Sequence, residues 1–133
     1  TKRPDRMRET LSGTGFKRLP NVWLGTSVEN AAVLGRIDEL RATPAYVRFI
    51  SFEPLIGSVD GADLSGIQWA IVGGESGPRS RQMSESWVLE IKIMCRRADT
   101  AFFFKQWGGR NKKATGRLLR GRTFDEMPPS VSL

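Results

Sequence analysis

Four short apolar runs constrain this chain more than any other feature. They are Val22-Trp23-Leu24-Gly25-Thr26-Ser27-Val28, Val47-Arg48-Phe49-Ile50-Ser51-Phe52, Trp69-Ala70-Ile71-Val72 and Ala101-Phe102-Phe103-Phe104. Each is rich in β-branched and aromatic residues and nearly unbroken rather than alternating. That is the pattern of a parallel strand buried on both faces. The runs start near residues 21, 47, 69 and 101, which leaves 22 to 32 residues per unit, long enough for right-handed crossovers. The fold class expected is therefore α/β, built from parallel βα repeats.

The segments between the runs agree with this reading. Pro4 suits the first turn of a helix, and Asp5 and Glu9 suit its positive end, so a short helix is expected over 4–12, stopped by Ser12-Gly13-Thr14-Gly15. Asn30 is placed to cap a helix over 31–41, with Val33, Ile37 and Leu40 at helical spacing, ended by Thr43-Pro44. From Gly57 to Gly66 the apolar residues are only Val59, Ala62 and Leu64, which predicts a loop or a single helical turn. Ser84 or Ser86 caps a helix over 85–98, whose Val88, Ile91, Met94, Cys95 and Ala98 form one stripe. Cys95 thus reads as a small core residue.

Composition removes several chemistries. The chain has 133 residues, no His and one Cys. Imidazole bases, His ligands, Ser-His-Asp triads, an internal disulfide and a cysteine-only metal site are excluded within it. No metal site is expected. No apolar run approaches the roughly 18 residues that cross a bilayer, and the opening Thr1-Lys2-Arg3-Pro4-Asp5-Arg6 lacks the apolar stretch of a signal peptide. No membrane association and a cytoplasmic location follow as expectations. The net charge of +7 suits a partner that is a polyanion, as it suits a small basic protein that meets none.

Each run ends in polar residues: Ser27, Glu29 and Asn30; Ser51 and Glu53; Glu75 and Ser76; Lys105 and Gln106. In parallel βα folds these ends share one rim, where active sites are built. Ser27, Glu29, Asn30, Glu53, Glu75, Ser76, Lys105 and Gln106 are therefore the candidate ligand-binding residues. Each also has a plainer role. Glu29 suits a helix amino terminus, Glu53 precedes Pro54 in an extended turn, and Lys105 suits a snorkelling edge position. Glu75 lies in Gly73-Gly74-Glu75-Ser76-Gly77, where glycines permit close approach of a ligand. Arg79 and Arg81 are fork donors for phosphate or carboxylate, or a solvated loop. Lys112, Lys113, Arg117 and Arg120 lie in a run from 105 to 122 that has no acidic residue, a candidate nucleic-acid contact or a solvated surface. Phe124, Met127 and Pro128 are expected to tuck back onto the body.

Four blocks also resemble a known family. Asn21-Val22-Trp23-Leu24-Gly25-Thr26-Ser27-Val28-Glu29-Asn30, Phe52-Glu53-Pro54-Leu55, Ile71-Val72-Gly73-Gly74-Glu75-Ser76-Gly77 and Phe103-Phe104-Lys105-Gln106-Trp107-Gly108 are similar to a family of phage and bacterial proteins of unknown function that look like radical-SAM enzymes. Gly121-Arg122-Thr123-Phe124-Asp125-Glu126-Met127-Pro128 resembles that family's usual ending. The resemblance implies a partial, half TIM-type barrel over 1–109 with a basic carboxyl-terminal tail over 110–133. It further implies an enzyme's carboxyl-terminal half, with S-adenosylmethionine and substrate contacts from Ser27, Glu29, Glu53, Glu75 and Lys105. Family members carry an upstream three-cysteine motif of the kind that holds a [4Fe–4S] cluster. Cys95 alone cannot hold one, so no cofactor is expected in this chain, and adenosylmethionine and cluster are expected only in a full-length relative. A fragment of a longer enzyme and a short stand-alone protein both fit, with the fragment ranked first. Half a barrel exposes sheet edges and an inner face, so a homo-oligomer or a partner chain is expected. The alternative is a basic nucleic-acid-binding or host-interaction phage protein without catalysis.

Overall fold

The computed structural model describes residues 1–130. Its elements in chain order are α1 (Pro4–Leu11), β1 (Trp23–Ser27), a 3-10 turn (Ala31–Val33), α2 (Gly35–Arg41), β2 (Val47–Phe52), β3 (Trp69–Gly73), α3 (Glu85–Ala98), β4 (Ala101–Gln106) and α4 (Lys112–Thr115). The four strands form one sheet in the order β1-β2-β3-β4. Every neighbouring pair is parallel, so the α/β class read from the runs is the class of the protein.

The ladder fixes which side chains share a face. Thr26, Ile50, Ala70 and Phe102 stand in one row, with Phe52, Val72 and Phe104 on the same side further along. All seven are buried, and all but Thr26 join Ile37 and Leu40 of α2 and Val88, Ile91 and Cys95 of α3 in a single core. No helix stands between β2 and β3. Leu55, Val59, Leu64 and Ile67 of that connection are each no more than 2% exposed and take the place of a helix. Arg41 fastens the connection to α2 through the carbonyls of Asp63 (2.6 Å) and Ser65 (2.7 Å), and Ser58 donates to Glu90 of α3 at 2.9 Å.

The opposite face corrects the expectation of burial on both sides. Trp23, Phe49, Trp69 and Phe103 are only partly buried there. Trp69 joins them, with ring centroids 5.7 Å from Trp23, 6.0 Å from Phe49 and 5.9 Å from Phe103. The Trp23–Trp69 and Trp69–Phe103 pairs meet edge-on, and pairs of this kind contribute about 0.5–1.5 kcal/mol each beyond the area they bury. Gly25 makes the cluster possible, since a Cβ there would lie 2.4 Å from the Phe49 ring.

Three further expectations are refined. The helix expected over 31–41 is split. Asn30 caps only the 3-10 turn, accepting from the Ala32 amide at 3.0 Å, and α2 begins anew at Gly35. Ser84 occupies the N-cap of α3 without a capping hydrogen bond; its hydroxyl lies 2.8 Å from that of Ser86 instead. Both outer edges of the sheet carry some cover. On the β1 side the Thr1 nitrogen donates to the Gly25 carbonyl (3.0 Å) and the Ser27 amide donates to the Thr1 carbonyl (3.2 Å). Along β4, the Phe104 amide donates to the Phe124 carbonyl at 2.9 Å, and that of Glu126 to Phe102 at 3.2 Å.

The basic segment after residue 109 contributes to the same core. Leu119 is 1% and Phe124 8% exposed, and Pro128 is also buried, whereas Met127 is 53% exposed. Residues 131–133 of the expected tail lie outside the described residues. No helix among the described residues is long and apolar enough to cross a membrane.

Because Leu119 is enclosed, Leu119→Ala is expected to destabilise the whole domain by about 2–5 kcal/mol. Urea unfolding followed at a tryptophan signal checks this. A loss below about 0.5 kcal/mol would mean that the segment is a loose appendage.

Candidate functional site at the carboxyl ends of the strands

Parallel pairing delivers every strand's last residues to one edge of the sheet. Two of the candidates meet there directly. Lys105 Nζ lies 3.1 Å from both Glu53 Oε1 and Glu53 Oε2. These residues belong to β4 and to the end of β2, which are not neighbours; β3 runs between them. The pair meets because β3 ends in Gly73. A Cβ at that position would sit 3.1 Å from the Glu53 carboxyl carbon. By strand alternation Glu53 and Lys105 project on the aromatic face, in line with Phe49, Ser51 and Phe103. The side chains remain 24% (Glu53) and 51% (Lys105) exposed, so a ligand can reach both charges.

The other two carboxylates are held by cations of their own. Glu29 receives Arg36 Nη1 at 3.0 Å, and Lys2 Nζ stands 3.0 Å from its other oxygen. Burial raises the Glu29 carboxyl, but the contact with Lys2, its own backbone amide and the Arg36 charge outweigh this and leave it below its ordinary range. Glu75 is clasped by Arg81 through Nε (2.9 Å), Nη2 (2.7 Å) and the Arg81 amide (2.8 Å). These hydrogen bonds favour the charged form and hold the Glu75 carboxyl down at about 2. Arg81 is thereby committed within the chain rather than offered to an anion.

The loop bearing Glu75 is fixed by a close backbone crossing. Past a register shift after Val72, residues 74–77 run beside 106–109, with the Gly109 amide donating to the Glu75 carbonyl at 2.7 Å and the Gly77 amide to Gly109 at 3.1 Å. A Cβ on Gly74 would fall 1.8 Å from the Trp107 carbonyl oxygen, so no larger residue fits there. Gln106 Nε2 donates to Ser76 Oγ at 3.0 Å across the same crossing. A cavity of about 400 Å³ opens alongside, walled by Arg81, Met83, Trp107 and Thr115.

The remaining candidates sort by their contacts. Ser27 stands beside Ser51 in register, half-buried. Asn30 is occupied as a cap. Arg117 pairs with Asp125, and Arg120 with Glu85 at 2.9 Å. Arg79, Lys112 and Lys113 are exposed and make no ion pair among the described residues. Sequence reasoning missed Gly73, Arg36 and the aromatic floor. The only signal for the floor was one large aromatic in each run, Trp23, Phe49, Trp69 and Phe103, and which face these share, like the meaning of Gly73, appears only once strand order and register are known.

No group of His, Cys, Asp or Glu among the described residues is arranged to hold a metal ion. Cys95 lies on the helix-covered side, 1% exposed, and burial pushes its thiol up to about 12.

Over residues 1–128 the chain matches the family described as "Protein of unknown function (DUF5131)", and it belongs to that family. No curated protein and no solved structure matches it.

A carboxyl held below its ordinary 4.5 in the folded protein stabilises the fold above that pH, and the contribution disappears as pH falls from about 4.5 to about 2. The Glu75 carboxyl carbon, followed by NMR, is expected to titrate near pH 2, and Arg81→Gln to move the midpoint back toward 4.5. An unchanged midpoint in the variant would remove Arg81 as the cause.

Proposed function

We propose that this member of the family is the carboxyl-terminal part of a βα-barrel enzyme of the radical-SAM kind, and that its own contribution is a substrate-binding rim centred on Glu53 and Lys105. The observation that carries the reading is the Glu53–Lys105 pair, brought together over Gly73 above an aromatic floor. Sheet topology supports it. Four parallel strands in sequential order, with α2 and α3 on one face, are what a segment of a βα-barrel contains, and the partly exposed aromatic face then corresponds to the barrel interior. The Thr1 hydrogen bonds follow the pattern of one more parallel strand beside β1.

The residues present do not fit an iron–sulfur cluster. A cluster needs several thiolates, and the single thiol here is buried away from the rim and held protonated. Cluster and adenosylmethionine chemistry accordingly belong to a full-length relative. What this chain's residues do is bind. Lys105 offers a positive donor and Glu53 a negative acceptor, so a substrate carrying both a donor and an acceptor can displace the internal pair. The rings of Trp69 and Phe103 accept its flat or apolar portion. Closure of the face comes from the rest of the barrel, on the same polypeptide or on a partner. Alone, the chain is expected to self-associate.

The reading frame upstream of Thr1 is the first test, and an in-frame three-cysteine segment is expected. A stop codon and ribosome-binding site directly before Thr1 would overturn the proposal. With that segment joined, Glu53→Gln and Lys105→Met are each expected to lower turnover about a hundredfold while the melting temperature holds, as loss of a positioning contact does. Light scattering on the isolated chain is expected to give a mass above 14.9 kDa.

A further inference from the structure

The net charge of +7 is not spread evenly once contacts are considered. Most carboxylates are already in ion pairs, among them Glu29, Glu53, Glu75, Glu85 and Asp125. Lys92, Arg96 and Arg122 make no ion pair among the described residues, and together with Arg120 they line one groove between α3 and the segment that covers β4. The groove has a volume of about 530 Å³ and shares no lining residue with the Glu53–Lys105 rim. Two carboxylates share the lining and offset part of that charge. Glu126 is turned to the Phe102 amide at 2.9 Å, and Asp99 ends α3 in a left-handed conformation.

Two details show that these cations are held in place. Lys92 Nζ stands 4.5 Å and Arg122 Cζ 4.7 Å from the centre of the same ring, that of Phe124. Both charges are therefore within about a Debye length (~10 Å at 0.1 M salt) of each other. Residues 119–122 form a tight turn, the amides of Leu119 and Arg122 each donating to the other's carbonyl, with Arg120 (φ 49°) and Gly121 (φ 80°) both left-handed. Such turns favour Asn, Asp or Gly at those positions. Arg120 accepts backbone strain there and spends its guanidinium on Glu85, its Nε donating at 2.9 Å, which ties the turn to the start of α3.

We propose that this groove binds the phosphodiester backbone of single-stranded nucleic acid. Three cations without an ion pair among the described residues, Lys92, Arg96 and Arg122, stand on one concave surface and match a chain of regularly spaced phosphates, and arginine forks suit phosphate oxygens. Concavity separates this partner from a membrane, because a flat anionic bilayer cannot enter the groove whereas a single strand can. The Phe124 ring is 8% exposed, so it orients cations and does not stack on bases. Binding is accordingly expected to be indifferent to sequence.

Fluorescence anisotropy with a labelled oligonucleotide of mixed sequence tests the proposal. About three phosphate contacts on a single strand give a slope of log affinity against log salt near −2. Lys92→Gln with Arg96→Gln is expected to weaken binding about tenfold at 50 mM salt and flatten the slope by about 1.4, while Lys112→Gln with Lys113→Gln changes neither. Ile93, 52% exposed on the groove wall, supplies a second variant. Ile93→Glu adds a repelling charge at an open position and is expected to weaken binding without changing the circular dichroism. Lack of salt-dependent binding, equal loss in the Lys112/Lys113 variant, competition by polyglutamate as strong as by unlabelled oligonucleotide, or binding to phosphatidylserine vesicles in place of the oligonucleotide would each overturn it.

Discussion

Hydrogen bonding between strands that all run the same way governs the rest of this molecule. In a parallel ladder the carboxyl ends lie side by side, so polar residues far apart in the chain arrive at one edge. The same ladder sorts each strand's residues between two faces. One face receives α2, α3 and the β2–β3 connection and is closed. The other keeps a floor of Trp and Phe side chains that nothing among the described residues covers fully, and the Glu53–Lys105 pair stands at its end.

Charge is organised on top of this frame in two ways. At the rim, carboxylates meet cations. Glu29 and Glu75 are tied down by arginines, which position their loops, while Glu53 shares a lysine at a more open place. The more exposed pairs of Glu53 and Glu75 add little to stability, a median of about 0–1 kcal/mol, so their value lies in where they hold the side chains. Beyond the rim, the balance tips toward cations along α3 and the carboxyl-terminal segment. There the aromatic ring of Phe124, and not a carboxylate, keeps Lys92 and Arg122 in position. The two regions share no residue, so a substrate at one and a polyanion at the other are compatible.

Much of the framework was legible before any coordinates. The strands begin at Trp23, Val47, Trp69 and Ala101, close to the apolar runs, and α3 spans Glu85–Ala98 as its stripe of Val88, Ile91 and Cys95 predicts. Both signals are local: burial repeats along a strand or helix at a fixed period, and the chain records the period directly. The helix expected over 31–41 was less legible, because Asn30 and Gly35 are three-dimensional punctuation whose relative strength no period encodes. Of the candidate site, the identities Glu53 and Lys105 could be read from their positions after apolar runs. Their partnership could not, since they stand 52 residues apart.

What the sequence by itself determined is the class of fold, the absence within these residues of imidazole, of an internal disulfide and of a cysteine-only metal site, and the short list of polar residues that end the strands. Each of these follows from composition or from spacing along one segment. Which residues meet was decided only in three dimensions. Gly73 became the gap between two charges, Arg81 the captor of Glu75, and Arg122 the companion of Lys92 on one ring. Such pairings depend on strand order, on register and on how the carboxyl-terminal segment returns along β4. Those are properties of long-range packing, and no local pattern in the chain carries them.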